Sequence, residues 1–214
     1  MRSPLFLSLL ASSLVIVALG CKDPSKDAAK AVAEAPVPVT QPVAKAGEVV
    51  PFDAKSSKIT FVGSKVTGSH TGTFGTFEGR IDLVDGKLEA SSVKLDIDLK
   101  SVDTDTAKLT NHLRSGDFFD IEHHPKAAFV STKIVPGGES GATHTITGNL
   151  ELRGVTKSVT FPAKITVTSE AVETTARFSI DRTQWGITYE GMADNLIRKD
   201  VVLELSVKAP RTKG

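Results

Sequence analysis

The chain has 214 residues, 26 Lys and Arg against 25 Asp and Glu, a formal net charge of +1 and a single cysteine. That length suits one all-β domain, and the balanced charge, with no basic block, gives nucleic-acid binding little support. Trp185 and Tyr189 are the only aromatic residues besides Phe, too few for a ladder of stacked bases, and one cysteine makes neither an intrachain disulfide nor a Cys-x-x-Cys metal site.

The chain opens with one positive residue, Arg2, and an apolar run from Leu5 to Leu19 interrupted by Ser8, Ser12 and Ser13. About twenty apolar residues span a bilayer, so this run is marginal as a membrane helix and fits the core of an export signal. It ends Val17-Ala18-Leu19-Gly20-Cys21, which resembles the lipobox of bacterial lipoproteins, with Ala18 where Leu is usual. Residues 1–20 are therefore read as a signal peptide and Cys21 as a lipidated anchor, which places the exported chain in a bacterial cell envelope, facing the periplasm or the exterior. Several acyl chains on one cysteine hold stably where a single chain holds marginally. The alternative is a cleaved signal followed by an incidental cysteine.

Residues 21–51 are rich in Ala, Pro, Val, Lys and Glu, with Pro24, Pro36, Pro38, Pro42 and Pro51 and few large apolar side chains. This composition predicts a tether without a core, helical at most over Ala28 to Ala35 and extended through Pro36-Val37-Pro38-Val39.

From Phe52 to residue 210 the period becomes two. Val93, Leu95, Ile97 and Leu99 alternate with polar residues, as do Ile146, Leu150 and Leu152, then Val159, Phe161, Ala163, Ile165 and Val167, then Val201, Leu203, Leu205 and Val207. Alternation with Val and Thr enrichment marks strands with one dry face. Asp85-Gly86 suits a tight hairpin, Gly137-Gly138 with Gly141 a longer loop, and Gly154 a turn between two runs. Eight antiparallel strands follow, near 57–66, 72–84, 91–100, 127–135, 143–153, 156–168, 172–182 and 200–208. Closing them into an up-and-down barrel removes the sheet edges.

Two connections are too long to be hairpins. The first, between Lys100 and Ala127, predicts a helix over Ala107–Leu113, started by Asp103 to Asp105. It continues into an aromatic doublet, Phe118-Phe119, and a histidine doublet, His123-His124, stopped by Pro125. Adjacent Phe residues on a turn seldom both face inward, so Phe119 is the less expected core residue. The second, Trp185 to Lys199, carries Trp185, Ile187, Tyr189 and Met192.

His112, His123 and His124 lack the spacing of a metal site, and Ser115 lacks the setting of an activated nucleophile. Neither a metal nor a catalytic residue is assigned. His112 is expected to hold the first excursion to the barrel or touch a ligand head group. Arg114 and Arg182 are expected to pair with Asp117, Asp120 or Asp181, or to meet such a head group.

His112–Phe129, HLRSGDFFDIEHHPKAAF, resembles the signature segment of the YceI-like family. So do Leu152-Arg153-Gly154-Val155-Thr156-Lys157, Ile180 to Ile187, and the serines and valines at 91–93 and 101–104. The likeness extends over about residues 52 to 208, with His124 at a place usually aromatic. It implies an extended, lipocalin-like eight-stranded barrel with a short helical excursion between strands 3 and 4. It also implies a non-covalent ligand, a polyisoprenoid or quinone-like chain, held in the barrel without any cofactor.

The expected apolar lining is Phe118, Phe119, Phe129, Phe161, Phe178, Trp185 and Ile187, with His112, Arg114 and Arg182 as head-group or gate contacts. Gly148, Ala163 and Ala176 either leave room for a channel or seat large neighbours. The leading reading is a membrane-tethered binding protein that sequesters or carries an isoprenoid-type lipid. The alternatives are an envelope stress or structural protein with a side-chain-filled barrel acting through protein partners, and an enzyme using His112 with nearby acids.

Overall fold

Turns fall where left-handed backbone is cheap. Asp85-Gly86 and Arg153-Gly154 both have positive φ at both positions, the geometry that matches the twist of paired strands. The computed structural model describes residues 23–39 and 47–211, so the expected signal segment and Cys21 lie outside the described residues.

In chain order the strands are β1 (Ala29–Lys30), β2 (Ala33–Glu34), β3 (Glu48–Asp53), β4 (Lys58–Lys65), β5 (Gly68–Phe74), β6 (Phe77–Val84), β7 (Lys87–Asp98) and β8 (Val102–Thr104). Helix α1 (Ala107–Arg114) comes next. Then follow β9 (Lys126–Pro136), β10 (His144–Leu152), β11 (Val155–Val167), β12 (Ala171–Asp181), β13 (Gly191–Met192), β14 (Asn195–Leu196) and β15 (Asp200–Pro210).

Three of the long strands are bent into halves. β3 and β4 together pair along β6 and β5, and β7 and β8 together pair along the other side of β6 and β5. The ladder then runs β7–β9–β10–β11–β12–β15 and returns to β4, every step antiparallel. Eight long strands thus form a ring, as the periodicity predicts. The first begins earlier than expected: Val50 and Phe52 are core residues of β3. Pro51 is tolerated there because β3 pairs on one side only, with β6.

One end of the barrel, here the mouth, carries the β4–β5 turn, α1 and its sequel, the Arg153-Gly154 turn and residues 182–199. The other end carries Asp85-Gly86, the loop after β9, and Arg211. There Arg211 grips both oxygens of Glu48, Nε donating to Oε1 at 3.1 Å and Nη2 to Oε2 at 2.6 Å, joining the end of the last strand to the start of the first. The helix starts at Thr106, whose side chain accepts from the Leu109 amide, rather than at Asp103 to Asp105. Leu109 and Leu113 share its inner face, and Leu113 is buried.

The segment expected to be a free tether departs most from the sequence reading. Residues 29–34 are extended, not helical, and lie within the barrel wall. β1 runs parallel to β12, pairing Ala29 with Phe178, and β2 runs antiparallel to β11, pairing Ala33 with Val159. The opening they fill has a local cause. The β11–β12 ladder stops at Lys164. The Ala163 carbonyl accepts from Thr143 on the β10 side, so the imide nitrogen of Pro162 faces β12 with no proton to donate. Beyond that residue β11 and β12 part, and the 29–34 strap takes the vacated edges. Small inward residues suit it: Ala31 is buried, and Ala29 and Ala33 pack against the core. Outside the wall, Arg177 donates to the carbonyls of Asp27 and Pro24, Lys30 pairs with Asp200 at 3.0 Å, and Asn149 bonds both backbone groups of Val37.

Candidate functional site

The inward faces of the strands do not meet. Val93, Leu95, Ile97, Leu150, Val201, Leu203 and Leu205 point to the interior yet are only half-buried, because they border a hollow. The lumen is a cavity of about 570 Å³ lined overwhelmingly by aliphatic and aromatic side chains from all eight long strands. That volume lies within the range of pockets that hold small organic ligands, roughly 300–1,000 Å³.

Most of the residues expected to line it do so. Phe161 and Phe178 stack nearly parallel, with ring centroids 4.1 Å apart, across the place where β11 and β12 separate, so the rings close from inside what the strap closes in the wall. Phe129 leans on Phe161 at 5.8 Å and lies over Gly148, where a Cβ would come 2.3 Å from its Cζ atom. Gly148 therefore seats a large neighbour instead of widening a channel. Phe118 and Phe119 both line the lumen, against the expectation for adjacent residues on a turn. Phe118 meets His112 and Tyr189 at the mouth, while Phe119 packs with Phe61 and Phe74 from the first two long strands. The left-handed residue Asp120 turns the chain immediately after them. Ile187 is buried and lines the lumen as expected.

Trp185 does not border the cavity. It is fully buried within the wall, its indole donating to the Leu150 carbonyl at 3.1 Å, because the turn Arg182–Trp185 aims it behind β10. Arg114 is also no mouth contact: it donates to the Val102 carbonyl at 2.9 Å and fastens the helix end to β8.

Arg182 faces the lumen but pairs with none of the three aspartates proposed for it. It donates to the carbonyls of Ile187, Tyr189, Ile197 and Arg198, gathering the whole 182–199 segment around one guanidinium. Burial disfavours its charge, opposed by Asp181 and Glu190 nearby, and four carbonyl partners leave little of it for a head group.

His112 stands at the mouth, Nε2 2.8 Å from Asp117, its ring edge-on to Phe118 and Tyr189. His123 turns outward to Asp120 at 2.9 Å. His124 packs on the Gly154 turn, where a Cβ on Gly154 would come 2.7 Å from its ring, so its unusual identity touches a turn and not the lumen. Among the described residues no three of His, Cys, Asp and Glu come together as a metal site would require.

Sequence reasoning missed Phe61 and Phe74, and the rim residues His70, Lys65 and Lys108. The parity of β4 carries part of that signal, since Ile59, Phe61, Gly63 and Lys65 fall on one face. Arg153 was also missed as a positioning residue: from the β10–β11 turn it donates to the Phe118 carbonyl at 2.6 Å and fixes the aromatic doublet over the mouth.

Residues 51–209 match the family model described as the YceI-like domain. A UPF0312 protein from Pseudomonas aeruginosa is 49% identical over 69 residues, and another from Pectobacterium carotovorum is 46% identical over 69. These alignments span only about a third of either chain: 32% of this one and 35% or 34% of the relatives. Among solved structures, BcnA of Burkholderia cenocepacia superposes with a TM-score of 0.65 at 23% identity, over 74% of this chain and 99% of that one. A polyisoprenoid binding domain from Saccharophagus degradans gives 0.61 at 16% identity, over 77% and 98%. At these identities the superpositions establish the shared fold.

Proposed function

From its place in the YceI-like domain family, to which this chain belongs, we propose that it binds an isoprenoid-type lipid in the barrel lumen and acts as a carrier or store, by binding and not by catalysis. The observation that carries this reading is the lumen itself, hollow and apolar from the stacked Phe161–Phe178 pair to the mouth at His112. A side-chain-filled barrel would bury its inward residues completely, whereas here seven wall residues remain half-buried around open space. Each buried CH₂-sized group of a prenyl chain contributes about 0.8 kcal/mol before ordering costs. The tail thus needs no polar partner along the wall. The polyisoprenoid-binding domain with the same fold supports this ligand class. We also propose that Cys21 carries acyl chains and holds the protein to a membrane of the cell envelope, facing the periplasm or the exterior.

Solvent extraction of the purified protein followed by mass spectrometry tests the ligand. A stoichiometric prenyl lipid is expected, and a lumen repeatedly recovered without one rejects the reading. Growing expressing cells with radiolabelled palmitate tests the anchor: label on the unaltered chain and none on Cys21→Ala is expected, and an unlabelled unaltered chain rejects it.

A further inference from the structure

The mouth of the lumen is edged by apolar side chains that no described residue covers. Val66 at the β4–β5 turn and Met192 and Leu196 on the β13–β14 hairpin are 58%, 71% and 47% exposed. The two turns form one tip: the Val66 amide donates to the Leu196 carbonyl, Thr67 bonds Asn195 at 2.8 Å, and Lys65 bridges Ile197. Met192 also lines the lumen, so the exposed apolar surface runs without a break from the tip into the cavity.

The upstream chain arrives at this same end. Asp23, where the described segment begins, pairs with Arg198 at 3.1 Å, and Arg198 directly follows Ile197 at the base of the tip. Cys21 lies two residues before Asp23, a reach of no more than ~7 Å for any backbone conformation. The strap between residue 23 and residue 37 is bonded along its length to the wall and supplies no slack. A membrane anchor at Cys21 would therefore hold the mouth close to the bilayer instead of lifting the barrel away from it.

From this geometry we propose that the tip inserts into the interfacial region of a lipid bilayer and sets the lumen mouth against the lipids. Charge decides the kind of surface. Lys65 and Lys108 at the rim are balanced by Glu190 and Asp194 in the mouth segment, while His70, His112 and Arg198 face Asp105, Asp117 and Asp23. A neutral rim with apolar residues at its point fits a zwitterionic surface, and its binding should change little with salt. The docking gives the proposed carrier its route of exchange and rests on that reading only for its purpose.

The test uses the full chain with Cys21→Ser and a single environment-sensitive fluorophore at Met192→Cys, or at Asp85→Cys on the far end as control. Dioleoylphosphatidylcholine vesicles are added to each. At residue 192 the emission should shift to the blue and rise roughly threefold, and at residue 85 it should not change. Val66→Asp with Leu196→Asp, both at exposed positions, should abolish most of that rise while leaving the unfolding midpoint in place. Even if the apolar run near the N-terminus brings the chain to vesicles, only a mouth-down orientation distinguishes the two labels. A silent label at 192, an equal response at 85, or an undiminished response in the Asp variant overturns the docking. A silent label on protein that yields extractable lipid defeats the docking alone; a responsive label on lipid-free protein defeats the carrier reading alone.

Discussion

Individual residues at the mouth act mostly on one another. The Asp120–His123 pair shows this in its titration. The imidazole beside it holds the Asp120 carboxyl below its usual range, and Asp120 in turn raises His123 above 6.5. The raised histidine contributes fully below its unfolded value and loses the contribution as pH climbs through the raised folded one. The lowered aspartate contributes above its unfolded value of 3.8 and loses it as pH falls through the lowered folded one. The pair is therefore intact in the window between, and both groups are too exposed for it to dominate stability. An NMR titration of the His123 ring should give a midpoint above 6.5, and Asp120→Asn should bring it back toward that value. An unmoved midpoint in the variant would assign the shift elsewhere. Gly148 offers a steric counterpart. A Cβ there would lie 2.6 Å from the Val130 carbonyl as well as against Phe129, and backbone does not yield as a side chain does. Gly148→Ala should cost about 1–3 kcal/mol in denaturant unfolding, with only part restored by adding Phe129→Ala.

At the scale of elements, the sequence was most legible where a side-chain period repeats. The eight strands, the two tight turns and the helix over Ala107–Leu113 all follow from local rules. The aromatic lining followed from parity, residue type and the family signature together, and its failures have physical reasons. Trp185 reads as a lumen residue because it is large and apolar, but the left-handed Gly186 ends its turn and sends the indole into the wall. Arg114 and Arg182 read as binding residues because they are cations near an opening. Both instead bond backbone carbonyls, partners that carry no sequence mark. Residues 29–34 were illegible for a related reason: Ala and Val in a Pro-rich stretch state no strand preference, and the slot that orders them is set by Pro162, far along the chain.

As a whole molecule, the barrel is a ring whose weakest seam is closed by a segment from outside the matched domain. Ala31→Glu would place a charge in that seam and should lower stability by roughly 2 kcal/mol. The measurement that isolates the effect is amide exchange. Ala31, Ser179 and Ser158 should exchange faster while the β9–β10 ladder keeps its protection, and uniform loss of protection would mean that the strap is not a separate unit.

The same seam also sets an order of assembly. A chain synthesised from its N-terminus makes the strap before the barrel strands, yet Ala29 must wait for Phe178 and Ala33 for Val159 before either has a partner. Until then β11 and β12 present bare edges to any neighbouring copy, the condition under which sheets exchange strands between molecules. The strap, made ahead of every barrel strand, is thus among the last parts to settle, and molecules crowded before that step are the ones at risk of pairing with each other.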